Sequence, residues 1–265
     1  MTAHLAFLHS AEASLVLECR KGAAPLWRHL GARVETGGLP PYAEGRTAAS
    51  FSLDADVPLA TAPAAGLGWF GPAFVAASRN GRALVPVFTD VTVSSNDAQI
   101  IIALTDAETG LALEQRITRT EGGAFLFDAQ LTNTGTSPLA VDWLASGLVP
   151  LPASSAEVIS WRGRHNGELV ECHEAMPQQT WLRESRRGIT GHGGAAGAIV
   201  LDQGAGFHAG AVRALQLAWS GDSRIAIERD DEGYWTLSAG VRLNPGDLTL
   251  NPGESFTAPQ AILAV

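Results

Sequence analysis

Within nine residues the chain sets a carboxylate, two adjacent guanidiniums and an imidazole: "ESRRGITGH", Glu184 to His192. Guanidinium forks bind carboxylates and main-chain carbonyls bidentately, and an imidazole changes charge near neutral pH. Such a group serves either as a clamp for an anionic substrate or as the stitching of a joint between two bodies. In extended chain Arg186 and Arg187 point to opposite faces, so one pairs inward while the other reaches outward. Catalysis needs a nucleophile and a base converging on one point. The residues mark no such pair, and the structural reading is favoured.

The other chemistry-bearing residues are scattered. Of seven histidines, none shows His-x-x-x-His spacing in a helix-like context. His165 and His173 are separated by seven residues in a loop-like region. No metal and no cofactor are expected. A Gly-x-Ser-x-Gly elbow is missing, which argues against a serine hydrolase of that type. "GLGWFG" (Gly66–Gly71) does not lie between a strand and a helix, so its glycines read as loop geometry rather than a nucleotide cradle. Seven tryptophans offer stacking faces. Trp143, Trp219 and Trp235 fall inside strand patterns and read as core, whereas Trp69, Trp161 and Trp181 read as loop residues open to a ligand or partner.

The elements that must position these residues are strands. Period-two alternation runs through "SLVLECR" (Ser14–Arg20), "QIIIALTD", "LALEQRITRT" and "GAFLFDAQLTN". Asn80-Gly81, between two apolar runs, is a strong hairpin signal, and "AETG" marks a second turn. "LAVDWLAS" resumes after "NTGTSP". "ALQLAWSGDSRIAIERDDEGYWTLSAGVRL" reads as three strands joined by "SGDS" and "DDEG", and "GESFTAPQAILAV" as a closing strand. Helical periodicity is nearly absent, so a (β/α)₈ barrel is excluded for this stretch. With 29 Gly and 14 Pro as punctuation, the chain reads as all-β: antiparallel, two packed sheets, one domain over 1–265, few short helices. Glu35–Thr47 and Pro58–Pro72 read as long loops of functional or partner-contacting kind. Trp161–Gly206 has a weak strand pattern and reads as a surface excursion.

Composition narrows the partners. The 265 residues are 46% hydrophobic and 17% charged, with a net charge of −9, so a sizeable core is expected. The negative balance disfavours nucleic acid and anionic membrane as partners. "MTAHLAFLHSAEASLVLE" lacks a basic leader region, and no apolar run approaches a membrane span. Cys19 and Cys172 are the only cysteines, which suits a reducing compartment. A soluble, cytoplasmic protein is the expectation.

The stretch "WRGRHNGELVECHEAMPQQTWLRESRRGITGH" resembles the family 36 glycoside hydrolases, the α-galactosidases, which carry W-G-R followed by E-S-R-R-G-x-S-S-H. Trp161 to Arg164 stand at the first part, and Glu184 to Gly188 with His192 at the second. "PLWRHLGARV" (Pro25–Val34), "SFSLDADVPLATAPAAGLGWFGPAF" (Ser50–Phe74) and "VRLNPGDLTLNPGESFTAPQAILAV" (Val241–Val265) are similar to further family stretches in the same order. The chain departs from the pattern at "ITGHGGAAGAIV", where the family has S-S-H-Q-x-N-P-F, and at Trp69 and Gly71, where it has Asp and Arg.

The resemblance implies the family's N-terminal, galactose-mutarotase-like β-supersandwich. Catalysis then belongs to a following (β/α)₈ barrel with two aspartates, and the family's K-W-D-x-N-like nucleophile motif does not occur here. A domain fragment or truncated gene product is the corresponding expectation, inactive alone, with no catalytic residue of its own. Arg186 and Arg187 are then interdomain anchors, with Trp161, Arg164 and His192 facing the barrel. Known relatives are oligomers in which this domain reaches a neighbouring pocket. That makes Glu44, Arg46 and Trp69 candidates for substrate or neighbour contacts, and α-galactosides the substrates of the complete enzyme. Two rival classes stand beside this reading. A stand-alone mutarotase-like epimerase would use His165, His173, His192 or His208 as acid or base, and a carbohydrate-binding module would use Trp69 and Trp181.

Overall fold

Asn80 and Gly81 both adopt positive φ, +52° and +76°, the backbone that a two-residue type I′ turn requires. They join β4 (Val75–Arg79) to β5 (Arg82–Ala83) in the computed structural model of the chain. The structure describes residues 4–35, 39, 57–65, 68–194, 196–230 and 233–265. Glu44 and Arg46, most of the Glu35–Thr47 loop and the "SFSLDA" stretch lie outside the described residues.

The chain opens with β1 (His4–His9), β2 (Ala13–Cys19) and β3 (Leu26–Ala32), which form a three-stranded sheet. After β4 and β5 comes a meander: β6 (Asp90–Ser95), β7 (Gln99–Asp106), β8 (Leu111–Arg119) and β9 (Phe125–Asn133). The long β10 (Leu139–Leu151) follows, then β11 (Ser155–Arg164), β12 (Gly167–Ala175) and β13 (Thr180–Ser185). A 3-10 turn, Gly191–Gly193, precedes β14 (Gly197–Asp202), β15 (Val212–Leu217), β16 (Ser223–Arg229) and β17 (Trp235–Val241). Short β18 (Thr249–Leu250), β19 (Ser255–Thr257) and β20 (Ala261–Ala264) close the fold. Two of these were expected as one closing strand; Ala258-Pro-Gln260 separates them, since proline cannot donate to a ladder.

Every strand pair among the described residues is antiparallel. Two large sheets carry the fold, one ordered β12-β11-β14-β15-β20-β9-β8-β7-β6 with β19 beside β9. The other is ordered β13-β16-β17-β10-β4-β5 with β18 beside β10. Ile100, Ile102 and Leu104 of β7, Leu111 and Leu113 of β8, and Phe125 and Leu131 of β9 project into one core shared with Leu144, Leu148, Ile225 and Leu237 of the facing sheet. Each such side chain contributes about 1.5–3 kcal/mol by leaving water, which is why the alternation holds across the meander.

One expectation needs correction. Trp161–Gly206 is not an irregular excursion: it holds β12, β13 and β14. β12 escaped notice because most of its residues are exposed on both faces, so no apolar period is required of it. β2 alternates as expected, yet all seven of its residues are buried. Its polar face is covered and internally paired, with Glu18 bound by Arg20 and Arg28 and Ser14 by His9 and the Val34 N–H. The three segments around "SGDS" and "DDEG" are the strands expected, β15, β16 and β17, and "SGDS" carries the chain from one large sheet to the other.

Candidate functional site

β12 is the edge of one large sheet and β13 the edge of the other, so the sandwich is open between them. Trp181 of β13 bridges the gap, its indole N–H donating to Glu174 Oε2 of β12 at 3.0 Å. Deeper in, Arg183 donates to the carbonyl oxygen of Gly193. This contact separates two clefts. One, of about 650 Å³, is lined by Trp161, Arg162, Glu171, His173, Glu174 and Trp181. The other, of about 300 Å³, is lined by Glu184, Arg186, Arg187, Thr190, Gly194 and Ser223 among others.

β13 ends at Ser185, so strand alternation does not reach the two arginines, and both line the same cleft rather than opposite faces. Arg186 turns back on Glu184, with Nε and Nη2 at 2.9 and 2.5 Å from Oε2. Arg242 reaches the same oxygen from the end of β17 at 3.3 Å. Partial burial alone would raise the Glu184 carboxyl; the hydrogen bonds and charges of Arg186 and Arg242 outweigh it and hold the group below the usual carboxylate range. Arg187 is exposed and makes no hydrogen bond or ion pair with the described residues. The following loop is tied down by Asp222, which accepts the Gly188 N–H at 2.7 Å, and by Thr190, which donates to the Ser220 carbonyl at 3.0 Å. Arg183, Asp222 and Arg242 were missed from sequence; they lie outside or far from the motif.

Trp161 lies in β11 and Trp181 in β13, not in loops. A Cβ at Gly194 would sit 3.0 Å from Trp161 Cβ, so glycine allows the turn to rest on that strand. Arg164 is exposed at the end of β11. Trp69 is buried, its indole N–H donating to the Pro72 carbonyl at 3.0 Å. Gly71 lies under its ring, where a Cβ would be 2.4 Å from Cζ2. Its loop thus covers most of this tryptophan, which lines a pocket together with Leu26, Pro63 and Phe88. Trp219 shows the converse: it lies beyond β15 and is 45% exposed, against the core role expected of it.

The epimerase residues do not converge. His173 bonds Glu157 on the neighbouring strand and Glu171 on its own, so these three groups are spent on one another. Hydrogen bonds accepted by Glu171 and Glu157 hold His173 above the ordinary histidine range. His208 stands apart in the exposed loop between β14 and β15. His165 and His192, however, come together, with ring centroids 5.6 Å apart.

A family model described as the glycosyl hydrolase family 36 N-terminal domain matches residues 23–251. The chain belongs to this family. It is 28% identical over 219 residues to an α-galactosidase of Escherichia coli, covering 83% of this chain and 30% of that protein. The family 36 α-galactosidase AgaA of Geobacillus stearothermophilus, solved in complex with stachyose, superposes with a TM-score of 0.83 at 23% identity, covering 98% of this chain and 40% of that one. AgaB from the same organism gives 0.82 at 20% identity, covering 100% and 41%. The family 36 domain thus spans less than half the length of these relatives, and the supersandwich architecture expected from the resemblance is the one they share.

Proposed function

We propose that this chain is the non-catalytic N-terminal domain of an α-galactosidase-like glycoside hydrolase, and that the β12–β13 edge seats a catalytic barrel of the same polypeptide. One observation carries the reading. Leu169 and Ile189 are each 64% exposed, Leu182 is 49% and Val170 is 47%, all on this edge and its loop. Apolar side chains rimmed by charge mark an interface. Arg187 is free to meet a barrel carboxylate or carbonyl, and Arg186 can exchange Glu184 for one.

In the complete enzyme the reaction would be retaining hydrolysis of terminal α-galactosides. Its two carboxyl groups, roughly 5 Å apart across the sugar, would be supplied by the barrel. The names and greater lengths of the relatives support this assignment. Assembly into a homo-oligomer, with Glu44 and Arg46 reaching a neighbour's pocket, belongs to the same reading. So does a cytoplasmic site of action, which the two free cysteines favour.

The test joins the chain to its barrel. Arg186→Ala is expected to lower the melting temperature of that protein while kcat on a chromogenic α-galactoside is preserved, and Ile189→Asp to lower it further. Unchanged melting with lost turnover would contradict the docking role. The chain alone is expected to release no galactose; turnover at enzymic rates after purification would overturn the proposal.

A further inference from the structure

We propose that His165, Glu168 and His192 form a binding site for a divalent transition-metal ion of the zinc type. Their ligating atoms all lie within 4.8 Å of one another. His165 and Glu168 flank the tip of the β11–β12 hairpin, and His192 is the middle residue of the 3-10 turn. His192 Nδ1 stands 3.4 Å from Glu168 Oε1. Zinc bonds of roughly 2.0–2.1 Å in tetrahedral array set neighbouring ligand atoms about 3.3 Å apart. The observed gap is therefore already one edge of a coordination tetrahedron. The exposed His165 side chain supplies the third corner by rotation, and a water takes the fourth.

The two segments are held together by backbone before any ion arrives. A Cβ at Gly163 would lie 2.5 Å from the His192 carbonyl oxygen and 2.8 Å from that of Gly167, so glycine is what lets hairpin and turn touch. Arg183 grips the Gly193 carbonyl on the other side. The Glu168 carboxylate is oriented by the N–H groups of Asn166 and Gly167, each donating at 3.0 Å. Orienting bonds of this kind are what a metal ligand needs behind it. Two imidazoles and one carboxylate suit zinc better than calcium or magnesium, which favour all-oxygen sets. The bound ion would pin the hairpin tip to the turn.

The experiment uses the untagged chain, stripped with chelator, and titrates zinc by calorimetry. One equivalent should bind saturably and raise the melting temperature. His165→Ala, Glu168→Gln and His192→Ala should each weaken binding by at least the roughly tenfold that loss of even a supporting residue costs. His173→Ala should leave it unchanged, because His173 with Glu157 and Glu171 is a separate histidine–carboxylate group. All three ligands are exposed, so the variants should melt like the parent without zinc. A second measurement needs no variant: trace Co²⁺ should broaden the His165 and His192 ring resonances and spare those of His173. Absence of saturable binding, binding that survives the His165→Ala/His192→Ala double change, or broadening centred on His173 would each overturn the site and leave an ordinary surface ion pair.

Discussion

Two carboxylates in this chain each hold two arginines, and their surroundings differ. Glu18 is 0% exposed at its side chain and Arg28 4%, with Arg28 Nη1 at 2.5 Å and Arg20 Nε at 2.6 Å. Glu184 is partly shielded, but its Arg186 partner is 66% exposed. In the first group Glu18, on the polar face of β2, and Arg28 are covered by the fold while Arg20 is 37% exposed; the second group lines an open cleft. A buried ion pair cannot be half removed, because the survivor is left charged without water. An exposed pair gains little from Coulomb attraction in water and gives up little when broken. The same two residue types thus make a fixed internal joint in one place and an exchangeable contact in the other.

The largest expected effect follows from the buried member. Arg28→Ala should cost more than any other change considered, up to the about 3–5 kcal/mol of breaking a buried pair in urea unfolding, since Arg20 keeps its hold on Glu18. The double change Glu18→Met/Arg28→Leu should recover most of that loss, since apolar replacements of similar volume are often neutral. If Arg28→Ala cost no more than Arg186→Ala, burial would not be what separates the two groups.

Asp106 sits between these extremes and extends the comparison to hydrogen bonds without a cation. It is buried, and accepts the N–H groups of Val87, Glu108 and Thr109 and the Thr109 hydroxyl. Burial alone would raise its carboxyl, but these bonds outweigh burial and hold it below the usual range. With the folded value depressed, its contribution is present above the unfolded carboxylate value and lost as pH falls through the folded one. Asp106→Ala should therefore cost about 1–3 kcal/mol near neutrality by leaving donors unpaired. Its deficit should shrink on acidification, read by denaturation at several pH values. A deficit independent of pH would assign the loss to packing.

How legible each region was in the sequence follows the same division. The meander and the Asn80-Gly81 hairpin were readable because one buried face forces a period of two and a type I′ turn demands particular residues. β12 was not, since a strand exposed on both faces carries no period. The double burial of β2 was hidden for the opposite reason: Ser14 and Glu18 look solvent-facing until β1 and β3 supply their partners. At the candidate site, "ESRRGITGH" identified Glu184 and Arg186 by type. Arg242 is 58 positions away from Glu184, a distance only the fold closes. His165 and His192 were both noted as residues; their meeting depends on Gly163, whose missing side chain has no periodic signature.

Arg186→Ala in this chain alone should change unfolding free energy by less than about 1 kcal/mol, the usual range for an exposed pair. A loss in the range expected for Arg28→Ala would mean that Arg186 is part of the domain's own framework. The docking role would then lose its physical basis, because an anchor for another body must be dispensable to its own.

His173 is the limiting case, an exposed imidazole held between two carboxylates. Hydrogen bonds accepted by Glu171 and Glu157 raise it above the ordinary histidine value. Any stabilisation is then fully present below the unfolded value, about 6.5, and is lost as pH rises through the folded one. Its NMR titration midpoint should lie above that of a free histidine, and Glu171→Gln should lower the midpoint and slightly lower the melting temperature at acid pH, leaving it unmoved only above the folded value. A stability loss at acid pH no larger than the shift itself demands would show that geometry alone binds charges here, and that burial is the added factor making Glu18 and Arg28 indispensable. A large fall in melting temperature would instead make the hairpin face a second fixed joint, and the open edge would begin at β13.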